Sequence, residues 1–404
     1  MITIAEKFTA LGTDHAPGQE VRQRGGEFAE LTRGTKLQGG LVDFSHGDID
    51  AHPPTPGSVE AWTEGYAIGG AQAYTEYRGL ADIREGLAER IAAFTGAPLD
   101  AQREMIVTPG TQGALFLAMG ATVTTGTKVA VIEPDYFANR KLAQFFGGEI
   151  VPVPLNYGGD MQLNGPDLER LEQAFQEGVE VLVFSTPNNP TGVVSARAAI
   201  ERTAAMAAHH GVVVIVDQLY SRMLYGGEDY AHLRACRNVP ENVITIMGPS
   251  KTESLSGFRL GVAFGTAELV DRMEKLQAIV SLRAAGYNQA ALRTWFCEPQ
   301  GWLTARIKAH QEIRDDLLGV FRRGGMATVT PQAGSYLYPQ LPGMEIGLHD
   351  FVRLLREQAA VIVTPGTEFA PHDIDRIRLN FSQDHQAAVD AASRIVQLAK
   401  RYAS

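Results

Sequence analysis

Short apolar runs alternate with amphipathic segments through the middle of the chain. Three of the runs are rich in β-branched residues and end abruptly in polar residues: KVAVIEP, VEVLVFSTP and VVVIVDQ. Helical spacing of apolar residues marks the segments LADIREGLAERIAAF, TQGALFLAMGATV and AIERTAAMAAHH. Such runs are typical of buried parallel strands with helices between them. The pattern predicts an α/β fold whose ligands bind beyond the carboxyl ends of an open, mostly parallel sheet.

The pattern changes after about residue 290. A long helix, WLTARIKAHQEIRDDLLGVF, precedes short strands in TVTPQAGSYLYP, AVIVTPG and RIRLNFS and a last helix. Near the start, the proline cluster AHPPTPG breaks any helix. We predict an N-terminal arm and part of a small domain in residues 1–57, a large cofactor-binding domain in 58–290, and a C-terminal small α+β domain in 291–404.

Composition narrows the class of protein. A chain of 404 residues is long enough for two domains. Its formal charge of −10 and the lack of a Lys/Arg run argue against a nucleic-acid or anionic-membrane partner. Cys236 and Cys297 have no metal-ligand spacing, which favours reduced thiols. The start has no basic segment followed by an apolar core, so we expect a soluble, cytoplasmic protein without a metal site.

The most informative segment is SKTESLSGFR, from Ser250 to Arg259. It follows another apolar run, VITIMG, so Lys251 is expected at a strand end. A lysine in a sheet-edge pocket can bond covalently to an aldehyde, and a guanidinium eight residues later can hold a phosphate. A single loop lysine is more often a solvated surface charge. The interpretation therefore depends on the polar residues at the other strand ends.

Three further strand ends carry suitable groups. Asp217 needs a cationic or donor partner, such as a protonated pyridine nitrogen, unless it only caps the next helix. The segment STPNNPTG presents Asn188 and Asn189, either toward a phenolate oxygen or simply as an Asx/Pro turn. The segment TPGTQGAL is a turn into a helix whose free N–H groups can bind phosphate.

Together these motifs resemble the fold-type I, pyridoxal-phosphate-dependent aminotransferases of class I/II, from about residue 40 to the end. Matching positions occur in the family's order at Tyr74, Gly110, Tyr136, Asn189, Asp217, Tyr220, Lys251, Arg259 and Arg378. The resemblance implies a large domain with a mostly parallel seven-stranded sheet between helices, plus the smaller α+β domain. It also implies pyridoxal 5'-phosphate as cofactor and an obligate homodimer with shared active sites.

The resemblance also assigns roles around the cofactor ring. Lys251 would bond to the cofactor aldehyde and later move the proton between Cα and C4′. Asp217 would pair with the pyridine N–H, and Asn189 and Tyr220 would hydrogen-bond O3′. Tyr136 would stack on the ring, unless it is an ordinary core tyrosine.

The resemblance also assigns residues to the cofactor phosphate and to the substrate carboxylate. Ser250, Arg259 and the Gly110 turn, with the backbone amides of Thr111 and Gln112, would hold the phosphate. Tyr74 would reach the phosphate of the other subunit. Arg378 would form a bidentate contact with the substrate α-carboxylate near Gly47 and Asn189, whereas Arg376 is the nearer candidate for a solvent-facing strand arginine.

Several positions depart from the family pattern. Gly248 replaces a frequent hydroxyl, and Gln112 replaces the lysine of one aspartate-specific subgroup. Glu253 replaces an aromatic residue and is either an interface carboxylate or a contact for a cationic substrate. Arg283, five residues before Asn288, resembles an arginine that crosses the dimer interface to a substrate side-chain carboxylate. Its alternative is an arginine bonded to helix ends or to the partner's backbone.

Arg78 and His46 are further pocket candidates. The predicted function is transfer of an amino group from an L-amino acid to a 2-oxo acid in ping-pong half-reactions, with a dicarboxylic substrate if Arg283 points inward. The alternatives are a lyase, racemase or oxidase with the same cofactor site, because the orientation of the breaking bond decides the outcome. A non-catalytic regulator of this fold would ordinarily carry an added basic segment for DNA.

Overall fold

The computed structural model describes residues 3–13, 30–226 and 229–404. Strands in these residues are β1 (Val42–Asp43), β2 (Met105–Pro109), β3 (Lys128–Glu133), β4 (Glu149–Asn156), β5 (Gly165–Pro166), β6 (Val181–Ser185), β7 (Val213–Asp217), β8 (Val243–Met247), β9 (Leu260–Gly265), β10 (Tyr336–Leu337), β11 (Val361–Ile362), β12 (Thr364–Pro365) and β13 (Ile377–Asn380).

The α-helices in the same residues are α1 (Ile4–Leu11), α2 (Ser58–Ala67), α3 (Gly70–Ala73), α4 (Ala81–Thr95), α5 (Gly110–Thr122), α6 (Phe137–Phe145), α7 (Leu168–Gln176), α8 (Arg197–His210), α9 (Ala267–Val280), α10 (Gly286–Gln289), α11 (Trp302–Arg323), α12 (Leu348–Ala359) and α13 (His385–Arg401).

Eight strands form the main sheet, in the order β2-β9-β8-β7-β6-β3-β4-β5. The pairs from β8 through β4 are parallel, whereas β9 runs antiparallel to both β2 and β8. The predicted α/β class and mostly parallel sheet are confirmed. The predicted number of seven strands is wrong, because the two-residue strand β5 adds to the edge beside β4.

Helices cover both faces of this sheet. Along β6, Val183 packs into a core cluster with Leu117 of α5 and Met273 of α9. Its neighbours Leu182 and Phe184 point the other way, into a cluster with Ile200 of α8. Because side chains alternate across a strand, a continuous apolar run has to be buried on both faces. The polar ends of β6, β7 and β8 are thereby held at one edge of a rigid layer.

A smaller layer is built from the end of the chain and a segment near its start. The three-stranded sheet has the order β10-β13-β12, and β1 pairs in parallel with β11 through Val42 and Val361. Phe44 packs into one core cluster with Leu317 of α11 and Phe351 of α12. The exact domain bounds 1–57, 58–290 and 291–404 stay a prediction. No helix of the described residues is long and apolar enough to cross a membrane.

Candidate active site

One pocket of about 250 Å³ lies where the carboxyl ends of the parallel strands face the smaller layer. Most of the residues that the sequence singled out line it: Thr111, Gln112, Tyr136, Asn189, Asp217, Tyr220, Ser250, Lys251, Arg259 and Arg378. Most of them lie at or after the ends of strands of the main sheet, whereas Arg378 lies within β13 of the smaller layer. The rigid main sheet fixes the spacing of the first group, since these strand ends lie along one edge. Their roles remain predictions, but their convergence in one cavity is a structural fact.

Arg259 lies at one end of this pocket, next to Gly110. Gly110 has a φ of 75° and begins α5, whose N-terminus has no side-chain cap. The free N–H groups of the first helical turn therefore point out of the helix. Arg259 lies beside this turn and donates from Nη1 to the carbonyl of Ser256 at 3.1 Å. A guanidinium next to a helix N-terminus is suited to a phosphate.

Gly248 explains one departure from the family pattern. A β-carbon at Gly248 would lie 2.7 Å from Cγ2 of Thr111 and 3.2 Å from the carbonyl oxygen of Leu260. A hydroxyl-bearing residue does not fit there unless Thr111 moves. The threonine at the helix N-terminus thus occupies the space that a side chain at position 248 would need.

Asp217 is the last residue of β7 and lines the pocket. Its Oδ1 accepts the N–H of Leu219 at 3.0 Å. Burial raises the pKa of the Asp217 carboxyl to about 6, against the opposing effect of that hydrogen bond. Ionising this buried carboxyl group is costly without a partner, so the carboxylate is suited to binding a cation at this position.

Tyr136 forms one wall of the pocket. Its hydroxyl donates to Oε1 of Gln112 at 2.9 Å, and its backbone N–H donates to Asp135 at 2.6 Å. Asp135 is buried, and its other carboxylate oxygen accepts the backbone N–H of Ser185 at 2.8 Å. Asp135 therefore ties the loop of Tyr136 to the end of β6, from which the Asn189 loop starts.

Arg378 extends from β13 into the opposite end of the pocket and is 1% exposed. It donates to Oδ1 of Asn189 at 3.3 Å and to the carbonyl of Ser45 at 2.9 Å. Among the described residues its Nε has no hydrogen-bond partner, and no carboxylate lies within ion-pair distance of the side chain. A buried cation without an anion is costly, so this site calls for an anionic ligand.

Lys251 follows β8 and lines the same pocket as Arg259 and Arg378. The turn after it closes through the N–H of Ser254, which donates to the carbonyl of Lys251 at 3.1 Å. In the part of the chain that the structure describes, Nζ has neither a hydrogen-bond acceptor nor an ion-pair partner. The amine is therefore available for covalent chemistry.

Glu253 lies in neither of the places that we expected from sequence. Its side chain is 1% exposed and pairs with Arg222, which also contacts Glu298 at 2.6 Å. Burial raises the pKa of Glu253 to about 7, although the charge of Arg222 opposes this. Glu253 is thus neither an exposed interface carboxylate nor part of the pocket lining. It links the turn of Lys251 to the loop that carries Tyr220.

Arg78 is also absent from the described pocket lining. Its guanidinium pairs with Glu274 and donates to the carbonyl of Gln102 at 3.0 Å. Arg376 lies over the ring of Tyr338 at 5.6 Å, outside the pocket. His46 does line the pocket and pairs with Asp43 at 3.3 Å. The hydrogen bond to Asp43 raises the pKa of His46, although burial opposes it.

Gly47, Tyr74 and Arg283 do not line the pocket of their own chain. Gly47 follows His46 and packs against Ser382, where a β-carbon would lie 3.3 Å from Cβ of that serine. Tyr74 is 82% exposed. Arg283 lies over the ring of Tyr74 at 5.7 Å, and its Nε has no hydrogen-bond partner among the described residues.

The sequence analysis missed several lining residues: Ser45, Leu115, Phe137, Leu219, Ser256 and Tyr336. Among them, Tyr336 contacts a residue that the sequence did single out, because its hydroxyl is 2.6 Å from that of Tyr220. The only signal in sequence was a tyrosine in the segment AGSYLYP. Nothing in that segment indicates that β10 places Tyr336 against the pocket.

Comparison with known proteins finds aminotransferases by family, by sequence and by structure. A model of the family described as aminotransferase class I and II matches residues 40–395. A crystal structure of an aspartate aminotransferase from Rhodobacter sphaeroides 2.4.1 is 58% identical, with a TM-score of 0.95 and coverage of 100% of both chains. The aspartate/prephenate aminotransferase of Thermus thermophilus is 28% identical over 98% of this chain and 97% of the relative. Human kynurenine–oxoglutarate transaminase 1 is 27% identical, and the match covers 82% of this chain and 85% of the relative.

Proposed function

This chain belongs to the class I and II aminotransferases, and we propose that it transfers the amino group of a dicarboxylic L-amino acid of the aspartate or glutamate type to a 2-oxo acid. The predicted family and enzyme class are confirmed, and the cofactor of the family is pyridoxal phosphate. The dicarboxylic substrate, the ping-pong order, the roles of individual residues, the homodimer and a cytoplasmic location are parts of the proposal. The last is supported by Cys236 and Cys297, both of which are free thiols.

The observation that carries the proposal is the position of Arg378. Its buried guanidinium lacks an anionic partner among the described residues and lines the same pocket as Lys251. An α-amino acid offers a carboxylate for the arginine, and its Cα and amine would then lie in the part of the pocket that Lys251 lines. The planar guanidinium can bind that carboxylate through two hydrogen bonds, which fixes the orientation of Cα.

The rest of the pocket fits pyridoxal phosphate. Arg259 and the N-terminus of α5 would hold the phosphate, where the glycine at position 110 leaves room that a β-carbon would fill. Asp217, with its raised pKa, would pair with the protonated ring nitrogen. Tyr220 and Asn189 would hydrogen-bond the ring oxygen, and Tyr136 would pack on the ring. When bound, the cofactor supplies an aldehyde for the amino group and a ring that delocalises the electron pair left at Cα.

Lys251 has two tasks in this proposal. Its Nζ would hold the aldehyde of the cofactor, and as a free amine it would take the proton from Cα of the substrate. Arg378 holds the carboxylate on the same Cα, so the two residues together set which bond is presented to the base. Asp217 keeps a proton on the ring nitrogen, because an ionised carboxylate stabilises the adjacent N–H.

A second copy of the chain would complete the site. Arg283 lies over the rings of Tyr74 and Tyr77, and the two chain segments around them expose further apolar side chains: Tyr66, Ile68, Ile279, Val280 and Leu282. An apolar face of this kind is typical of an interface. In a two-fold dimer the same face meets itself, so each chain can extend Tyr74 and Arg283 toward its partner's pocket. Arg283 would there bind the side-chain carboxylate of the substrate.

The test compares substrates in the variant Arg283→Ala. We expect kcat/KM for aspartate and glutamate to fall by roughly 100-fold, since a charged hydrogen-bond partner of a carboxylate is removed. The value for alanine should change less than about threefold. Arg272→Ala, which removes an exposed arginine of α9 paired with Glu268, is the matched control. Equal losses for all three amino acids in Arg283→Ala would remove the dicarboxylic part of the proposal.

A further inference from the structure

Tyr336 lies inside the pocket but has no role in the account above. It is 3% exposed, and β13 fixes its backbone through the pairing of Tyr336 with Asn380. Two contacts define its surroundings. The hydroxyls of Tyr220 and Tyr336 are 2.6 Å apart, and the guanidinium of Arg378 lies over the Tyr336 ring at 4.5 Å from its centre.

These contacts connect two ends of the site. Tyr220 is placed by the loop after β7, and Arg378 by β13 of the smaller layer. Tyr336 contacts both of them. Its ring meets that of Tyr220 edge-on, with centroids 5.2 Å apart. The hydroxyl therefore acts on Tyr220, whereas the aromatic face acts on Arg378.

Burial and nearby charges act differently on the two hydroxyls. Burial raises the pKa of Tyr220. Burial alone would also raise the pKa of Tyr336, but the charges of Lys251 and Arg378 and the hydrogen bond from Tyr220 bring it below its ordinary value, while Asp217 opposes them. In this structure the hydroxyl of Tyr220 donates to the hydroxyl of Tyr336.

A phenol has only one hydrogen to donate. If Tyr220 turns its hydrogen to the ring oxygen of the cofactor, it can no longer donate to Tyr336. Tyr336 can then donate its own hydrogen to the oxygen of Tyr220. The pair keeps both buried hydroxyls hydrogen-bonded in either state, which matters because an unpaired buried hydroxyl is costly.

We propose that Tyr336 is a positioning residue that aims the Tyr220 hydroxyl at the cofactor ring oxygen and supports the Arg378 guanidinium with its ring. This inference rests on the roles proposed above for Tyr220 and Arg378. The two contributions are separable, since Tyr336→Phe removes only the hydroxyl and Tyr336→Leu also removes the aromatic face.

The test is a double-mutant cycle on the holoenzyme with Tyr220→Phe, Tyr336→Phe and both changes together. The readouts are the pH midpoint of the visible absorbance band and the rate of cofactor release to a scavenger. Tyr336→Phe should move the midpoint in the same direction as Tyr220→Phe and speed release by about fivefold. In the Tyr220→Phe background, removal of the Tyr336 hydroxyl should add no further shift.

Tyr338→Phe is the matched control, because Tyr338 is also buried but bonds to Asp373 at 2.7 Å, away from the pocket lining. It should leave both readouts unchanged. For the ring contact, Tyr336→Leu should raise KM for the amino acid at least tenfold more than Tyr336→Phe does, by loss of the cation–π contact and its packing.

The outcomes distinguish a failure of the role proposed for Tyr220 from a failure of the inference about Tyr336. If Tyr220→Phe leaves the absorbance midpoint unchanged, the proposed role of Tyr220 is wrong. If Tyr220→Phe moves the midpoint and Tyr336→Phe does not, or if the two shifts are simply additive, the inference about the Tyr336 hydroxyl is overturned. Equal KM values for Tyr336→Phe and Tyr336→Leu would overturn the support of Arg378 by the ring.

Discussion

Gly110 and Arg259 lie so close together that a β-carbon on the glycine would displace the guanidinium of the arginine. A β-carbon built on Gly110 would lie 2.9 Å from Cζ of Arg259. The φ of Gly110 is also 75°, a left-handed conformation that other residues adopt at a cost. The turn before α5 thus combines two constraints, a close approach and an unusual backbone angle.

We therefore expect Gly110→Ala to weaken cofactor binding by roughly tenfold or more, because the guanidinium must move away from the helix N-terminus or the turn must rearrange. The dissociation constant of pyridoxal phosphate, measured by fluorescence of the apoprotein, checks this. Gly257→Ala is the control, since a β-carbon there would meet nothing within 4 Å. A similar affinity for Gly110→Ala and the wild type would show that Arg259 does not depend on this turn.

The raised pKa of Asp217 predicts that the affinity for the cofactor depends on pH. Burial raises the pKa of this carboxyl to about 6 in the cofactor-free protein, so it is protonated below that pH and ionised above it. Only the carboxylate can pair with a protonated ring nitrogen. The affinity for pyridoxal phosphate should therefore increase as pH rises through about 6.

The matched variant is Asp217→Asn, which keeps the shape of the side chain and removes the titration. Equilibrium binding to the apoprotein between about pH 5 and pH 8 separates this carboxyl from the ionisation of the cofactor itself. The step near pH 6 should be larger in the wild type than in Asp217→Asn. Identical pH curves would contradict the pairing of Asp217 with the ring.

Arg378 and Arg376 allow a comparison of two neighbouring strand arginines. Arg378 is buried in the pocket, whereas Arg376 lies over Tyr338 outside it. We expect Arg378→Lys to lower kcat/KM by roughly 30-fold or more, about 2 kcal/mol, since lysine cannot form the bidentate contact. Arg376→Lys should stay within roughly threefold of the wild type. Steady-state kinetics with a common amino donor decide this, and equal effects would remove the assignment of the α-carboxylate site.

Sharing of sites between subunits can be tested by mixing two variants that are each expected to turn over aspartate slowly or not at all. Lys251→Ala lacks the proposed catalytic amine, and Arg283→Ala lacks the proposed side-chain anchor. If Arg283 acts across the interface, a mixed dimer contains one complete site. Random mixing should then restore about a quarter of wild-type aspartate turnover, because half of the dimers are mixed and half of their sites are complete.

The same mixture gives the opposite result if Arg283 serves its own chain. Every mixed dimer would then lack either Lys251 or Arg283 in each site, and mixing would restore nothing. Lys251→Ala mixed with wild-type subunits controls for exchange of chains, which mass measurement of the mixed species checks directly.

The parts of the fold and site that could be predicted from sequence share one physical origin. Runs such as VVVIVDQ have to be buried on both faces, so their polar ends fall at one edge of the sheet. Asp217, Asn189 and Lys251 could be placed together for that reason. The resemblance to a family added Arg378, which no strand-end argument identifies.

What could not be predicted depends on contacts between distant segments. Glu253 pairs with Arg222, 31 residues away, and only the packing of their two loops reveals this. Tyr336 reaches the pocket because β10 pairs with β13, and a two-residue strand leaves almost no pattern in sequence. The antiparallel strand β9 between β2 and β8 is equally invisible to a periodicity argument, since buried parallel and antiparallel strands have similar composition.

The most direct test of the account is one half-reaction with an amino donor and no acceptor. The holoenzyme mixed with excess L-aspartate should release one equivalent of 2-oxo acid per subunit and then stop, without ammonia, until a 2-oxo acid is added. Lys251→Ala should release none on the same timescale. Continuous formation of ammonia or hydrogen peroxide without an acceptor, or normal release by Lys251→Ala, would contradict amino transfer through Lys251.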